Sequence, residues 1–331
     1  MSINSPDIKN DEFQNLGKKM MSDSKFFMGY ARFNDEKQSY ETWNESVERV
    51  MNMHRNFYSE KMTSELNNYI NFVEDHYKKA NFLGSQRNLQ FGGEQILKHN
   101  ARSFNCSYSH VDRVNFFEGC MYLLLCGCGV GFSVQKHHID QLPGIVKRFD
   151  KKSKVFKVPD SIEGWSQAFG VLLSSFFENG GDYPQYNRSQ VHFDFSEIRP
   201  KGSYISGGFK APGPDGLRQS LQHCEDLLIN ETKNLGNEQS KKMEPIVAYD
   251  FTMHMADAVL SGGVRRSATI CIFSKDDQQM IEAKTGSWFI DNPQRGRSNN
   301  SVMLVRDKTT KDEFSQIMES VKQWGEPGFI F

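Results

Sequence analysis

The sequence predicts an α/β protein with parallel strands, set behind an N-terminal helical region. Three observations carry this. Residues 41–57 and 60–80 each place apolar side chains at helical spacing. From residue 81 onward, helical patterns alternate with short β-prone runs, the order expected of parallel strands joined by helices. The length, 331 residues, allows two domains or one large one. The division falls near residue 80, giving a helical region 1–80 and an α/β region 81–331.

Taken in order, residues 1–25 are polar and aperiodic and read as a loose arm. Trp43, Val47, Val50, Met51 and His54 share one helical face, and Leu66, Tyr69, Ile70, Val73 and Tyr77 share another. Residues 111–126 read as a helix and 129–134 (GVGFSV) as a buried strand. The lysine-rich stretch within 144–160 reads as a solvated loop or hairpin. Residues 161–177 form an apolar helix, followed by a strand at 190–195. Pro214 suits the first turn of a helix, and Leu217, Leu221, Cys224 and Leu228 keep helical spacing behind it. Residues 229–245 are a polar loop, 246–260 a helix, 267–273 a strand and 310–324 a last helix. The closing GEPGFIF reads as the start of a further strand, and so as a cut or split point.

Composition narrows the class. Apolar residues make up 37%, and 26 glycines bring the total near the globular norm. Forty Lys and Arg against 41 Asp and Glu leave a charge of −1, which argues against a nucleic-acid coat or a membrane-surface protein. The N-terminus lacks the apolar core of a signal peptide. The longest apolar stretch, Cys120 to Val134, is too short to span a bilayer. The six cysteines therefore read as thiols of a reduced, cytoplasmic protein.

Several segments could carry chemistry. Gly127, Gly129 and Gly131 suit close backbone approach to a phosphate, or simply a helix cap followed by a tightly packed strand. SGGVRRSAT (261–269) joins a flexible glycine pair to two arginines whose forked donors suit a phosphate or a base edge. Ile198–Gly216 holds Arg199, Lys201 and Lys210, and reads equally as an anion-binding or a solvated loop. Cys106 lies in a polar setting where a thiol could react. Cys120, Cys126, Cys224 and Cys271 sit in apolar patterns and read as core. His76, His137 and His138 read as surface or core residues. No metal-ligand spacing is present. The Asn and Ser residues of 298–301 read as a turn.

Taken together, these blocks resemble the adenosylcobalamin-dependent, class II ribonucleoside-triphosphate reductases of the monomeric type. YARFNDEKQSYETWNESVERVMNMH, NFLGSQRNLQFGG, FNCSYSHVDRV, YLLLCGCGVGFSV, FSEIRPKGSYISGGFKAPGP, SGGVRRSATI, SNNSV and GEPGFIF each look like a family block, in the family's order. The resemblance implies a helical region followed by the first half of a ten-stranded α/β barrel. It implies thiyl-radical replacement of a ribose 2′-OH by hydrogen, with adenosylcobalamin as the radical source.

Position by position, Cys106 matches one cysteine of the redox pair, which a thioredoxin-like reductant resets. Gly262, Gly263, Val264, Arg265, Arg266 and Ser267 match the loop through which a dNTP effector biases the choice of substrate base. Gly129 and Gly131 fall near the substrate, and Ser85 and Ser107 in regions contacting its ribose or phosphate. Cys128 stands where the family usually has Thr, an extra thiol close to radical chemistry. The family's Asn-Pro-Cys-x-Glu block, the second redox cysteine and most of the cobalamin-binding region would follow residue 331. The resemblance thus implies that this chain alone is inactive and works with the C-terminal remainder of the reductase. A non-catalytic nucleotide-binding module and a class I-type large subunit are the alternatives.

Overall fold

The computed structural model describes residues 10–205, 209–260 and 269–331. They form two compact units. The first runs to Phe104 and takes in Ile205 and Phe209; the second holds the rest.

In the first unit, helix α1 (Asn10–Gly29) replaces the expected loose arm. Leu16, Met20, Met21 and Met28 on it are exposed, so no buried stripe marks the helix in the sequence. Helices α2 (Trp43–Phe57) and α3 (Ser64–Lys78) lie where the spacing places them. Thr42 and Glu45 form a capping box on α2, and Thr63 caps α3. Val47, Val50, Met51, Ile70, Tyr77 and Leu89 form their shared core. The Trp43 indole N–H donates to the carbonyls of Tyr77 and Lys78 at 3.2 and 3.1 Å. The unit does not stop near residue 80. Leu89 packs into this core, and Arg49 donates to the carbonyls of Leu89 and Gly92 at 2.9 and 3.1 Å. These contacts bind the short helices at Gln86–Phe91 and Glu94–Lys98 to α2.

The second unit begins with β1 (Cys106–His110), α4 (Phe116–Leu125) and β2 (Gly129–Ser133). Next come β3 (Ser153–Lys157), α5 (Ile162–Ser174), β4 (Gln190–Asp194), α6 (Asp215–Thr232) and α7 (Pro245–Leu260). It ends with β5 (Thr269–Ser274), β6 (Ser298–Met303), α8 (Lys311–Trp324) and β7 (Gly328–Ile330). Five strands form one sheet in the order β7-β6-β5-β2-β1, with every pairing parallel.

Two readings are corrected. The stretch expected as a loop or hairpin contains β3, which pairs in parallel with β4 in a separate two-stranded sheet. Its lysines face solvent, as does Val155, which hides the alternation. Ser298–Ser301 is not a turn but the body of β6. There Asn300 accepts from Ser298 Oγ at 2.8 Å, and that hydroxyl lies 3.0 Å from the Tyr249 hydroxyl. A buried side-chain network thus overrides turn propensity.

Helix α7 is buried at nearly every position because it is covered on more than one side. It packs against α6 and α4, while α5 packs on α4. Phe251 on α7 meets Phe117 of α4 edge-on at 5.2 Å and Phe169 of α5 at 6.3 Å. Asp250 accepts two bonds from Arg295 at 2.8 and 2.6 Å, which fixes the approach to β6. No described helix is long and apolar enough to cross a membrane.

Two outcomes follow from this packing. Phe251→Ala should cost about 3–5 kcal/mol of unfolding free energy, read by urea denaturation. The second concerns His138, which stacks on His110 at 4.1 Å and lies 3.0 Å, through Nδ1, from Ser133 Oγ. Burial, then His137 and His110, pull its pKa down to about 4 from 6.5. The unfolded chain therefore takes up the proton first. This contribution to stability is full above pH 6.5 and is lost as pH falls toward 4. His138→Gln should flatten the pH dependence of the denaturation midpoint across that window.

Candidate functional site

Parallel pairing gathers the amino ends of the strands along one edge of the sheet. Cys106 opens β1 and is paired in register with Gly129, which opens β2. The Gly129 amide donates to the Asn105 carbonyl at 2.8 Å. Thr269 opens β5 and aligns with Val130 and Ser298. Ligands of open α/β sheets usually lie beyond the carboxyl ends of the strands. Here Cys106 and Gly129 lie at the opposite edge.

Side chains alternate along a strand, so the aligned positions share a face. Cys106, Tyr108 and His110 lie on one face with Gly129, Gly131, Ser133, Ile270 and Asn299. The other face carries Val130, Phe132, Cys271, Phe273 and Val302, all buried in the core. Cys106 is the exposed cysteine; the other five are buried, and no disulfide joins any of them. Burial pushes the Cys120 thiol up to about 12 and holds Cys224 and Cys271 well above the ordinary thiol value. Cys128, flagged as an extra thiol, is buried, and alternation directs it away from the Cys106 face.

Gly131 does make a close approach, and within this structure its partner is protein. A Cβ there would lie 2.8 Å from Tyr108 Cδ2 and 3.2 Å from Ile270 Cγ2. The Tyr108 ring thus lies against the glycine. Gly127, with φ of +83°, closes helix α4 in the left-handed region. The Ser107 hydroxyl donates to the Gly129 carbonyl at 3.3 Å and, by alternation, faces away from Cys106. Ser85 belongs to the first unit, where it is exposed at the start of the helix Gln86–Phe91. The glycine–arginine segment with Gly262, Gly263, Arg265, Arg266 and Ser267 lies outside the described residues; its flanks are Leu260 of α7 and Thr269 of β5. In the loop after β4, Arg199 is paired with Asp160 at 2.5 Å.

Residue-type reasoning missed Tyr108, which shares the Cys106 face with Asn299. The alternation of exposure through Cys106–His110 is the signal that finds Tyr108. Away from this edge, a cavity of about 560 Å³ is lined by β4 and α6, including His192, Phe193, Phe195, Arg218 and Glu225. The Arg218 guanidinium lies 5.0 Å over the Phe195 ring. Among the described residues, no group of three or more His, Cys, Asp or Glu could hold a metal ion.

Comparison with known proteins now bears on this edge. Residues 134–228 match the family model for the insertion domain of B12-dependent ribonucleotide reductase. The adenosylcobalamin-dependent ribonucleoside-triphosphate reductase of Lactobacillus gasseri is 28% identical over 364 residues, covering 91% of this chain and 47% of that protein. The enzymes of the same name from Lactobacillus leichmannii and Levilactobacillus brevis are 28% and 25% identical, with the same coverage. The chain thus spans about half the length of the curated relatives it matches. A solved B12-dependent, class II ribonucleotide reductase shares the fold with a TM-score of 0.77 at 23% identity, over 93% of this chain and 48% of that one. By sequence along nine-tenths of its length, and by fold, the chain is similar to the B12-dependent, class II ribonucleotide reductases.

Proposed function

We propose that this chain forms part of an adenosylcobalamin-dependent reductase that converts ribonucleoside triphosphates to 2′-deoxyribonucleotides, with Cys106 as one of two thiols that supply the electrons. The observation that carries this reading is the exposure of Cys106 at the amino edge of the sheet, beside Gly129 and on the edge where β5 begins at Thr269. The net chemistry balances as two thiols plus a ribonucleotide giving a disulfide, a deoxyribonucleotide and water. The C2′–OH bond breaks, a C2′–H bond forms, and two electrons leave the sulfurs. A thioredoxin-like dithiol then restores the pair by exchange.

Bound cobalamin would supply the radical that initiates this chemistry. The described residues do not fit it as a cradle. One cavity among the described residues, of about 560 Å³, is lined by β4 and α6 and has no cysteine in its walls. The cofactor is therefore assigned to the reductase as a whole. The five-stranded parallel sheet, with β1 and β7 at its edges, is read as the first half of the ten-stranded barrel, completed by the C-terminal remainder. A cytoplasmic, reducing location accords with six cysteines that form no disulfide.

Gly262, Gly263, Arg265, Arg266 and Ser267 are proposed as the segment that couples a dNTP effector to substrate choice. The glycine pair permits backbone adjustment, and the arginines supply forked donors. Ser85, Ser107, Gly129 and Gly131 remain assigned to the surroundings of the substrate. Ser107 and Gly131 would act there through the sheet, given their present partners.

In the reconstituted reductase, Cys106→Ser should abolish multiple turnover with a thioredoxin-type reductant; unchanged multiple turnover would remove the redox role. Arg266→Ala should retain turnover while losing the effector's bias among substrates. That loss should fall within the about 5–150-fold typical of allosteric coupling, read from competing-substrate assays with and without dNTP.

A further inference from the structure

Strand β4 and helix α6 leave a groove between them in the second unit. One wall of this cavity of about 560 Å³ is the unbroken run Val191 to Ser196. The other is a single face of α6, made by Arg218, Leu221, Gln222 and Glu225 at helical spacing. Arg218 reaches over the Phe195 ring, just past the carboxyl end of β4. Glu225 is paired with Arg148 at 2.6 Å, and the neighbouring Phe149 amide donates to the Arg188 carbonyl, just before β4 begins. The helix therefore runs along the strand, from its end back to its start.

The strand wall carries an open hydrogen-bond ladder. Toward β3, the Gln190 amide donates to the Lys152 carbonyl at 2.6 Å, and the Asp194 carbonyl accepts from the Val158 amide at 2.8 Å. Successive strand residues turn their N–H and C=O groups to opposite sides, so Val191 and Phe193 direct theirs away from β3. Among the described residues, no strand pairs with β4 on that side. The outer edge of β3 is guarded: Lys154 and Lys157 stand on that strand, and the Tyr186 hydroxyl donates to the Val155 carbonyl at 3.4 Å. Strand β4, with the sequence QVHFD, has neither lysine nor proline. An unguarded strand edge beside a groove suits an extended peptide, held by backbone bonds and sorted by its side chains.

The walls define the chemistry of that peptide. Val191, Phe193, Phe195 and Leu221 supply apolar contact. Asp194 is engaged by the Ser196 amide at 2.9 Å and Glu225 by Arg148, which leaves Arg218 as the uncompensated charge. One cation in a largely apolar groove suits one acidic side chain, whereas a polyphosphate calls for several donors. We propose that the groove between β4 and α6 binds an extended peptide segment of a partner protein, which adds to β4 as a further strand and sets an acidic side chain against Arg218. The proposal does not rest on the reaction assigned to the Cys106 edge.

The test uses the full chain and a fluorescein-labelled, capped hexapeptide of alternating valine and threonine with one central glutamate, followed by fluorescence anisotropy up to millimolar peptide. Saturable binding is expected, with hydrogen exchange slowed over residues 190–195. N-methylation of two consecutive central amides removes donors from both edges of the peptide and leaves the protein untouched; it should weaken binding about tenfold. Arg218→Gln should weaken the glutamate peptide about two- to fivefold and leave its glutamine counterpart unchanged, at a thermal midpoint matching the parent. Absence of saturable binding, indifference to N-methylation, or slowed exchange confined to other segments would overturn the proposal. So would equal affinity of the glutamate and glutamine peptides for the parent chain. Displacement of the peptide by ATP, with ATP binding itself lost in Arg218→Gln, would assign the groove to a nucleotide and contradict it. Dimerisation that slows exchange over 190–195 would assign the groove to a second copy and contradict it likewise. None of these readouts uses turnover, so their failure leaves the reading of Cys106 untouched.

Discussion

The arrangement of the second unit depends on one constraint: helix α7 must be buried on more than one side. Its sequence offers almost no polar face, and Phe251 is packed against aromatic rings from both α4 and α5. A helix of this composition is stable only when another layer covers it. Helix α6, which packs on α7, and helix α5, which packs on α4, supply that cover. Both lie in the 134–228 stretch that matches the insertion-domain model or at its border. That stretch separates β2 from β5 in sequence, yet the two strands are neighbours in the sheet.

Because β1, β2 and β5 are parallel and in register, their amino ends coincide. The amino edge of the sheet therefore gathers Cys106, Gly129 and the start of β5 at Thr269. Burial then separates the thiols by reactivity. Desolvation raises the pKa of the buried Cys120, Cys224 and Cys271, whereas Cys106 is open to solvent. This selection follows from strand alternation and from position at the sheet edge.

Much of this was legible in the sequence. The spacing of Val47, Val50 and Ile70, the apolar run of 161–177, and the β-prone GVGFSV and SATICIF segments mark their elements because burial patterns dominate there. The blocks resembling the class II reductases also carried the likeness that the comparisons show. Other features were hidden for physical reasons. Helix α1 exposes its apolar residues, so periodicity is absent. Strand β3 alternates lysines with Val155 on an exposed stretch. Strand β6 is written in Asn and Ser, whose turn preference yields to hydrogen bonds with Tyr249 and within the strand. The reach of the first unit to Phe104 depends on carbonyls bound by Arg49, which no composition change announces. Likewise, the space beside Gly131 is filled by Tyr108, a tertiary detail that the GxGxG spacing leaves open.

The central claim is that the amino edge of the parallel sheet, with Cys106 on it, faces a bound nucleotide. The most direct measurement is the rate of alkylation of each cysteine, followed by mass spectrometry, with and without a ribonucleoside triphosphate. The account predicts that Cys106 reacts first in the free protein and is protected selectively by the nucleotide, while the five buried cysteines stay slow throughout. Equal labelling of Cys106 with and without nucleotide, under conditions where binding is saturated, would contradict it.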